Sequence, residues 1–217
     1  MKRKKVAATA AFIFLGFSGI SEAAIVDQIN YSSTSFSDGI NSNEIKQQEV
    51  KAGMSGQLTG FDFMFLRVTN YGINSPSFDF FVNIGNGWQT DQHDFVTTID
   101  LTSYPRGEGD AWYHIDTTPG DINLSAGDMF IIGMKANTSG GGMWISGSYY
   151  NDQYSNGVYL SYDPAWDTTY GTYHDGEADL NFQTYIEPTP TPIPGAIWLF
   201  GSGIAGLAGT RIRRKNK

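Results

Sequence analysis

The sequence predicts an all-β fold, a jelly-roll-like antiparallel β-sandwich, and three observations point to it. Short segments of alternating apolar and polar residues recur through the body of the chain; Gly, Pro, Asn and Asp separate them; and no stretch of the body sustains a 3.6-residue apolar period. Roughly eight to ten such segments are enough for two packed antiparallel sheets. A jelly roll is preferred to an immunoglobulin-like arrangement. The chain of 217 residues has room for one such domain and its flanking segments.

The first flank is "MKRKKVAATAAFIFLGFSGISEAA". Four basic residues, Lys2 to Lys5, precede an apolar stretch from about Val6 to Ile20, and Ser21-Glu22-Ala23 puts small residues where an A-x-A cleavage site needs them. This three-part layout predicts a secretory signal peptide over 1–23, cut between Ala23 and Ala24. The competing reading, a retained membrane helix, is disfavoured by a run that is short and rich in Ala and Gly.

The body, 24–187, opens with "AIVDQIN" and "EIKQQEVKAG" as strand-length pieces. In "GQLTGFDFMFLRV", Phe61, Phe63 and Phe65 fall on one face and Asp62 and Met64 on the other. In "SFDFFVNIGNGW", Phe78, Phe80, Val82 and Ile84 share a face, with Asp79, Phe81 and Asn83 opposite. "DAWYHID", "GDMFIIGMKA", "GGMWISGSY", "GVYLSYD" and "DLNFQTYI" complete the set. Turns are predicted at 72–76, 85–87, 105–109, 119–121, 126–128 and 140–142. Beyond Ile186 the Pro/Thr run 188–192 reads as an extended spacer that cannot join a sheet ladder.

Charge narrows the partners. Residues 24–187 carry five basic side chains against 21 acidic ones, a net charge of −16, so the body repels phosphate backbones and nucleic acid is excluded as a partner. There is no cysteine, hence no disulfide and no thiolate metal site. The three histidines, His93, His114 and His174, form neither H-x-H nor H-E-x-x-H, and G-x-S-x-G is absent. Glu44, Glu49, Glu108 and Glu177 stand apart from one another, unlike the paired carboxylates of a glycosidase. The residues therefore assign no catalytic group and no metal ligand.

The second flank begins at Ile193. Seventeen uncharged residues, 193–209, precede Arg211, Arg213, Arg214, Lys215 and Lys217. As a helix they cover about 25 Å, against ~30 Å for a hydrocarbon core. Gly201, Ala205 and Gly209 repeat at intervals of four, a small-residue face for close helix packing. The basic end stays cytoplasmic by the positive-inside rule while the body lies across the membrane. A marginal span with a basic stop suits a transient inner-membrane hold better than a lasting anchor.

Pro192-Ile193-Pro194, then Trp198-Leu199-Phe200-Gly201-Ser202-Gly203, then Arg213-Arg214, resemble a PEP-CTERM sorting signal of the Trp-Leu-Phe-Gly-Ser-Gly variant, with Thr191 and Ile193 where valine and glutamate are commoner. The resemblance covers the last 27 residues. It implies a Gram-negative protein exported by the secretion translocase, processed by an exosortase-type protease, and delivered to the cell surface, outer membrane or exopolysaccharide matrix. In the body, Lys51 to Phe61 ("KAGMSGQLTGF"), Leu124 to Asp128 ("LSAGD") and Asp179 to Tyr185 ("DLNFQTY") resemble recurring motifs of bacterial surface sandwiches, which implies structural roles for those residues.

The expectation is an exported, non-catalytic surface or matrix component. The first alternative is a lectin-like module of the same fold. Seven of the twelve tyrosines lie in 149–173 among Asn and Asp, and Trp166, Tyr149, Tyr150, Tyr154 and Tyr170 are the candidate sugar contacts. The plain reading of these rings is that they cover an edge and one face of the sandwich. An exposed aromatic row on one sheet would favour the lectin, and a His–Asp pair in a pocket would favour a hydrolase. A structural Ca²⁺ is left open without a ligand set, because "NDQYSN" and "HDGEAD" supply oxygen ligands but do not fit an EF-hand loop.

Overall fold

The computed structural model describes residues 23–32, 35–40, 44–66, 77–87, 92–100, 111–137, 143–149, 154–163, 171–172 and 178–189. The predicted signal peptide up to residue 22 and the sorting signal from Pro192 to Arg214 lie outside them. The described strands are β1 (Ile25–Asn30), β2 (Ser35–Ile40), β3 (Ile45–Lys51), β4 (Gly56–Leu66), β5 (Ser77–Ile84), β6 (Phe95–Asp100), β7 (Ala111–Asp116), β8 (Asn123–Leu124), β9 (Met129–Ala136), β10 (Met143–Tyr149), β11 (Tyr159–Tyr162), β12 (Gly171–Thr172), β13 (Ala178–Leu180) and β14 (Phe182–Pro188). One 3₁₀ turn, Thr118–Gly120, precedes β8.

These strands form two antiparallel sheets on one core, a β-sandwich. The first sheet is built around β4, the longest strand. Phe61 and Phe63 pair with β7 and β14 at once, so those strands lie on opposite flanks. Phe65 likewise pairs with β7 and β10, which puts β10 on the β14 flank, with β2 beyond it. The rows are therefore β1-β14-β4-β7 and β2-β10-β4-β7. The second sheet runs β12-β11-β3-β9-β5-β6.

Alternation explains which side chains meet. Phe61, Phe63 and Phe65 are fully buried from the first sheet, and Phe78, Phe80, Val82, Phe130 and Ile132 meet them from the second. Phe81 has the opposite parity and joins Ile45 and Ile131 in a smaller cluster on the outer side of the second sheet. There it lies across Gly133, its direct partner on β9, where a Cβ would come within 2.3 Å of the ring. The glycine leaves room for that aromatic ring, and His93 stacks on its far side at 4.1 Å.

Three turns fall where the sequence places them: 85–87, 119–121 and 126–128. Gly127 has φ of 95°, and its amide donates to Ala52 O at 2.7 Å while Ala52 N–H donates to Asp128 O at 2.9 Å. Two of the quoted surface-sandwich motifs thus bond to each other. Strand β14 runs to Pro188, and Thr189 N–H donates to Ser55 O at 3.1 Å, so the first residues of the expected spacer finish a strand. A proline fits at that end because it supplies no ladder donor. Ile84 has core parity but is 49% exposed, being the last residue of β5.

Candidate binding face

On the first sheet, every second residue points away from the core. β7 sends out Trp112, His114 and Asp116, while Ile115 is buried. β4 sends out Asp62 and Met64, and β14 sends out Gln183 and Tyr185. Register brings Asp62 opposite His114 on one side and Gln183 on the other. Four polar side chains from three strands therefore converge.

Asp62 Oδ1 lies 2.6 Å from His114 Nδ1, and the Tyr185 hydroxyl donates to Asp62 Oδ2 at 2.6 Å. Tyr185 also sits 2.9 Å from Gln183 Oε1. A carboxylate only accepts hydrogen bonds, so Nδ1 carries a proton, and in the neutral imidazole Nε2 is then an acceptor. Burial, then the bonded and charged Asp62, pushes the Tyr185 phenol up to about 12, which keeps it a donor. The hydroxyl and amide of Thr118 hold Asp116, one turn of the pleat beyond His114, below the ordinary carboxylate range.

The imidazole is held from below as well. A Cβ at Gly60 would lie 2.5 Å from His114 Cε1 and 2.9 Å from Nε2, so the ring rests on bare backbone. Tyr185 meets its edge with centroids 5.3 Å apart and planes at 72°. His114 nonetheless keeps 56% of its side chain exposed, while Asp62 keeps 9%. Nε2 has no hydrogen-bond partner among the described residues.

Apolar surface borders this cluster. Tyr31, 56% exposed, leans on Trp112 with centroids 6.1 Å apart. Ile29 and Val26 on β1 are also exposed. Trp144 shares the face, because Ile145 beside it pairs with Phe65 toward the core and Trp144 pairs with Leu66 away from it. Trp112 and Trp144 stand two strand spacings apart, roughly 10 Å across the sheet.

The sequence-predicted sugar contacts fare differently. Tyr154 is only 5% exposed; its hydroxyl accepts from Lys51 N–H at 2.9 Å, donates to Lys51 O at 3.3 Å, and its ring meets Phe182 edge-on. It is a core residue and faces no saccharide. The backbone of Tyr149 ends β10, and its side chain lies outside the described residues, as do Tyr150, Trp166 and Tyr170. The neighbours His93 and Asp94 do not pair with each other: His93 lies 3.2 Å from the Asn83 amide, and Asp94 accepts from Ile84 N–H. Among the described residues no group of three His, Asp or Glu side chains could hold a metal ion.

Sequence reasoning missed Tyr31, Trp112, Trp144 and the Asp62–His114–Tyr185 cluster. The signal available was the outward parity of "DAWYHID" and of Asp62 in "GFDFMF", but nothing local joins positions 52 residues apart. In chemical terms the face offers flat rings, one imidazole acceptor and one amide, supported by a carboxylate already engaged on both oxygens. No family model, no curated protein and no solved structure matches the chain.

Proposed function

We propose that this protein is an exported, non-catalytic β-sandwich of the cell surface or exopolysaccharide matrix that holds saccharide on the outer face of its first sheet. The observation carrying this reading is a set of outward-facing rings, exposed Tyr31 and Trp144 and half-buried Trp112, beside a pre-bonded polar cluster. Saccharides need this combination: apolar ring faces stack on aromatic ones, and hydroxyls bond to polar groups fixed in advance. The leader and the tail supply the route, through the secretion translocase, a transient inner-membrane stage and an exosortase-type protease. The jelly-roll version of the fold belongs to this reading. Its support is that β2 to β7, β9 and β10 divide into rows β2-β10-β4-β7 and β3-β9-β5-β6, the chain changing sheet at each step among them except the β5–β6 hairpin, as two nested Greek keys do.

Trp fluorescence titration of the full-length chain with soluble polysaccharides tests the reading. Trp112→Ala and Trp144→Ala should each weaken retention at least tenfold, on the order of 1–3 kcal/mol for a lost stacking platform. Equal retention by the parent and both variants would remove the saccharide assignment. A second reading, a hydrolase, is favoured by the 2.6 Å Asp62–His114 contact. Product release from polysaccharide or ester substrates that disappears in Asp62→Asn would establish it in place of the first.

A further inference from the structure

We infer that this face selects an uncharged saccharide chain, with His114 Nε2 and the Gln183 amide as the groups that read its hydroxyls. The inference rests on the saccharide-binding reading and deepens it to a ligand class. Three sets of observations lead there.

The first is charge. The polysaccharides of a bacterial matrix divide into neutral chains and polyanions bearing carboxylates or sulfates. A polyanion needs Lys or Arg on the surface that holds it. Of the five cations of the body, Lys46 is buried with Asp38 and Glu44, and Lys51 and Lys135 sit on strands of the other sheet. Arg67 and Arg106 lie outside the described residues. The formal carboxylates on the described face are Asp62, Asp116 and Glu187, all negative, in a body of net charge −16. The carboxylates described on this face oppose a polyuronate, most strongly at low salt.

The second is the engagement of Asp62. Both its oxygens are used, one by His114 and one by Tyr185, and the residue is 6% exposed. It is therefore not free to grip a cationic amino sugar. Its bond instead orients the imidazole, which makes Asp62 a positioning residue.

The third is preorganisation. His114 is fixed by Asp62, by the bare backbone of Gly60 and by the edge of Tyr185, yet 56% of its side chain stays exposed. Gln183 stands beside Tyr185, 2.9 Å from the phenol oxygen whose proton goes to Asp62, and keeps unused amide capacity among the described residues. An acceptor and an amide held beside the Tyr31–Trp112 rings match a pyranose with one apolar face and hydroxyls on its rim.

The test uses the full-length chain in mild detergent, with a soluble neutral glucan and a soluble polyuronate of similar length as probes. The glucan should bind with an affinity indifferent to salt, and the polyuronate should fail to bind at low salt. His114→Ala and Gln183→Ala should each weaken glucan binding about tenfold in protein that still shows a cooperative melting transition, the loss of one hydrogen bond to a fixed group. His114→Gln, which restores an acceptor, should recover part of it. In Asp62→Asn the imidazole nitrogen shifts should show His114 losing its fixed tautomer, a readout that a purely structural role would not move. Polyuronate binding equal to or tighter than glucan binding overturns the inference and leaves the saccharide reading standing. So does glucan binding unaffected by His114→Ala and Gln183→Ala. Retention of neither probe, with Trp112→Ala indistinguishable from the parent, overturns both.

Discussion

Asn181 separates β13 from β14, and its fully buried amide ties β10 to the segment that follows β1. Its Oδ1 accepts from Ser32 N–H at 2.9 Å, and its Nδ2 donates to Ser146 Oγ at 2.7 Å and Ser32 O at 3.3 Å. Its backbone donates to Ser146 O and accepts from Met64 N–H, so the pairing partner switches here from β10 to β4. Asn181→Leu has a similar volume but strands a buried N–H and a hydroxyl. Urea unfolding should show a loss of about 2–4 kcal/mol. The phenols make a second prediction at this scale. Tyr154 and Tyr185 are both raised from 10.0 to about 12, burial being the largest cause in each. A raised folded-state value contributes stability that is complete below the unfolded pKa and is lost as pH climbs through the folded one. Stability should therefore fall between pH of about 10 and about 12. Ultraviolet titration should find late phenols, Tyr154 and Tyr185 among them, and Tyr185→Phe should remove one and flatten the alkaline limb.

At the scale of elements, β9 and β5 show how strand parity becomes packing. Phe81 lies over Gly133 on the side of the sheet away from the main core, and His93 closes the stack. Gly133→Ala drives a methyl into that ring and should cost about 1–3 kcal/mol, read as a lower denaturant midpoint. The same change in a Phe81→Leu background should cost much less, because the obstructing ring is gone; additive losses would refute the packing account. Strands β1, β3, β4, β5, β7, β9, β10, β11 and β14 were legible in the sequence as strand-length apolar segments. β2, "SFSDGI", was not, because its residues are mostly small or polar and its place comes from pairing with β10. β6, "FVTTID", was not either; among the described residues it is an edge strand paired with β5, and Thr98 binds Asp79 across that pair.

Over the whole molecule, the two ends and the body pose separate questions. The proposed route predicts that the exported protein loses its tail: mass spectrometry of the surface pool should find no peptide beyond the Pro/Thr spacer. Recovery of an intact "LAGTRIRRKNK" end from that pool would overturn the processing proposal. The acidic body bears on where a ligand can sit. Lys46 has no role at the surface, since its ammonium bridges Asp38 at 2.9 Å, Glu44 at 3.4 Å and the Ser161 hydroxyl at 2.9 Å inside the sandwich. The sequence by itself determined the strand faces, the turns at 85–87, 119–121 and 126–128, and the acidity of the body, because period-two alternation, glycine conformations and charge are local or additive properties. Tertiary structure alone decided that Tyr154 goes inside while Tyr31 and Trp112 stay outside, and that Asp62 meets His114 and Tyr185. The reason is register: Tyr185 stands 123 residues from Asp62 along the chain, and only the pairing of β7 and β14 with β4 makes them neighbours.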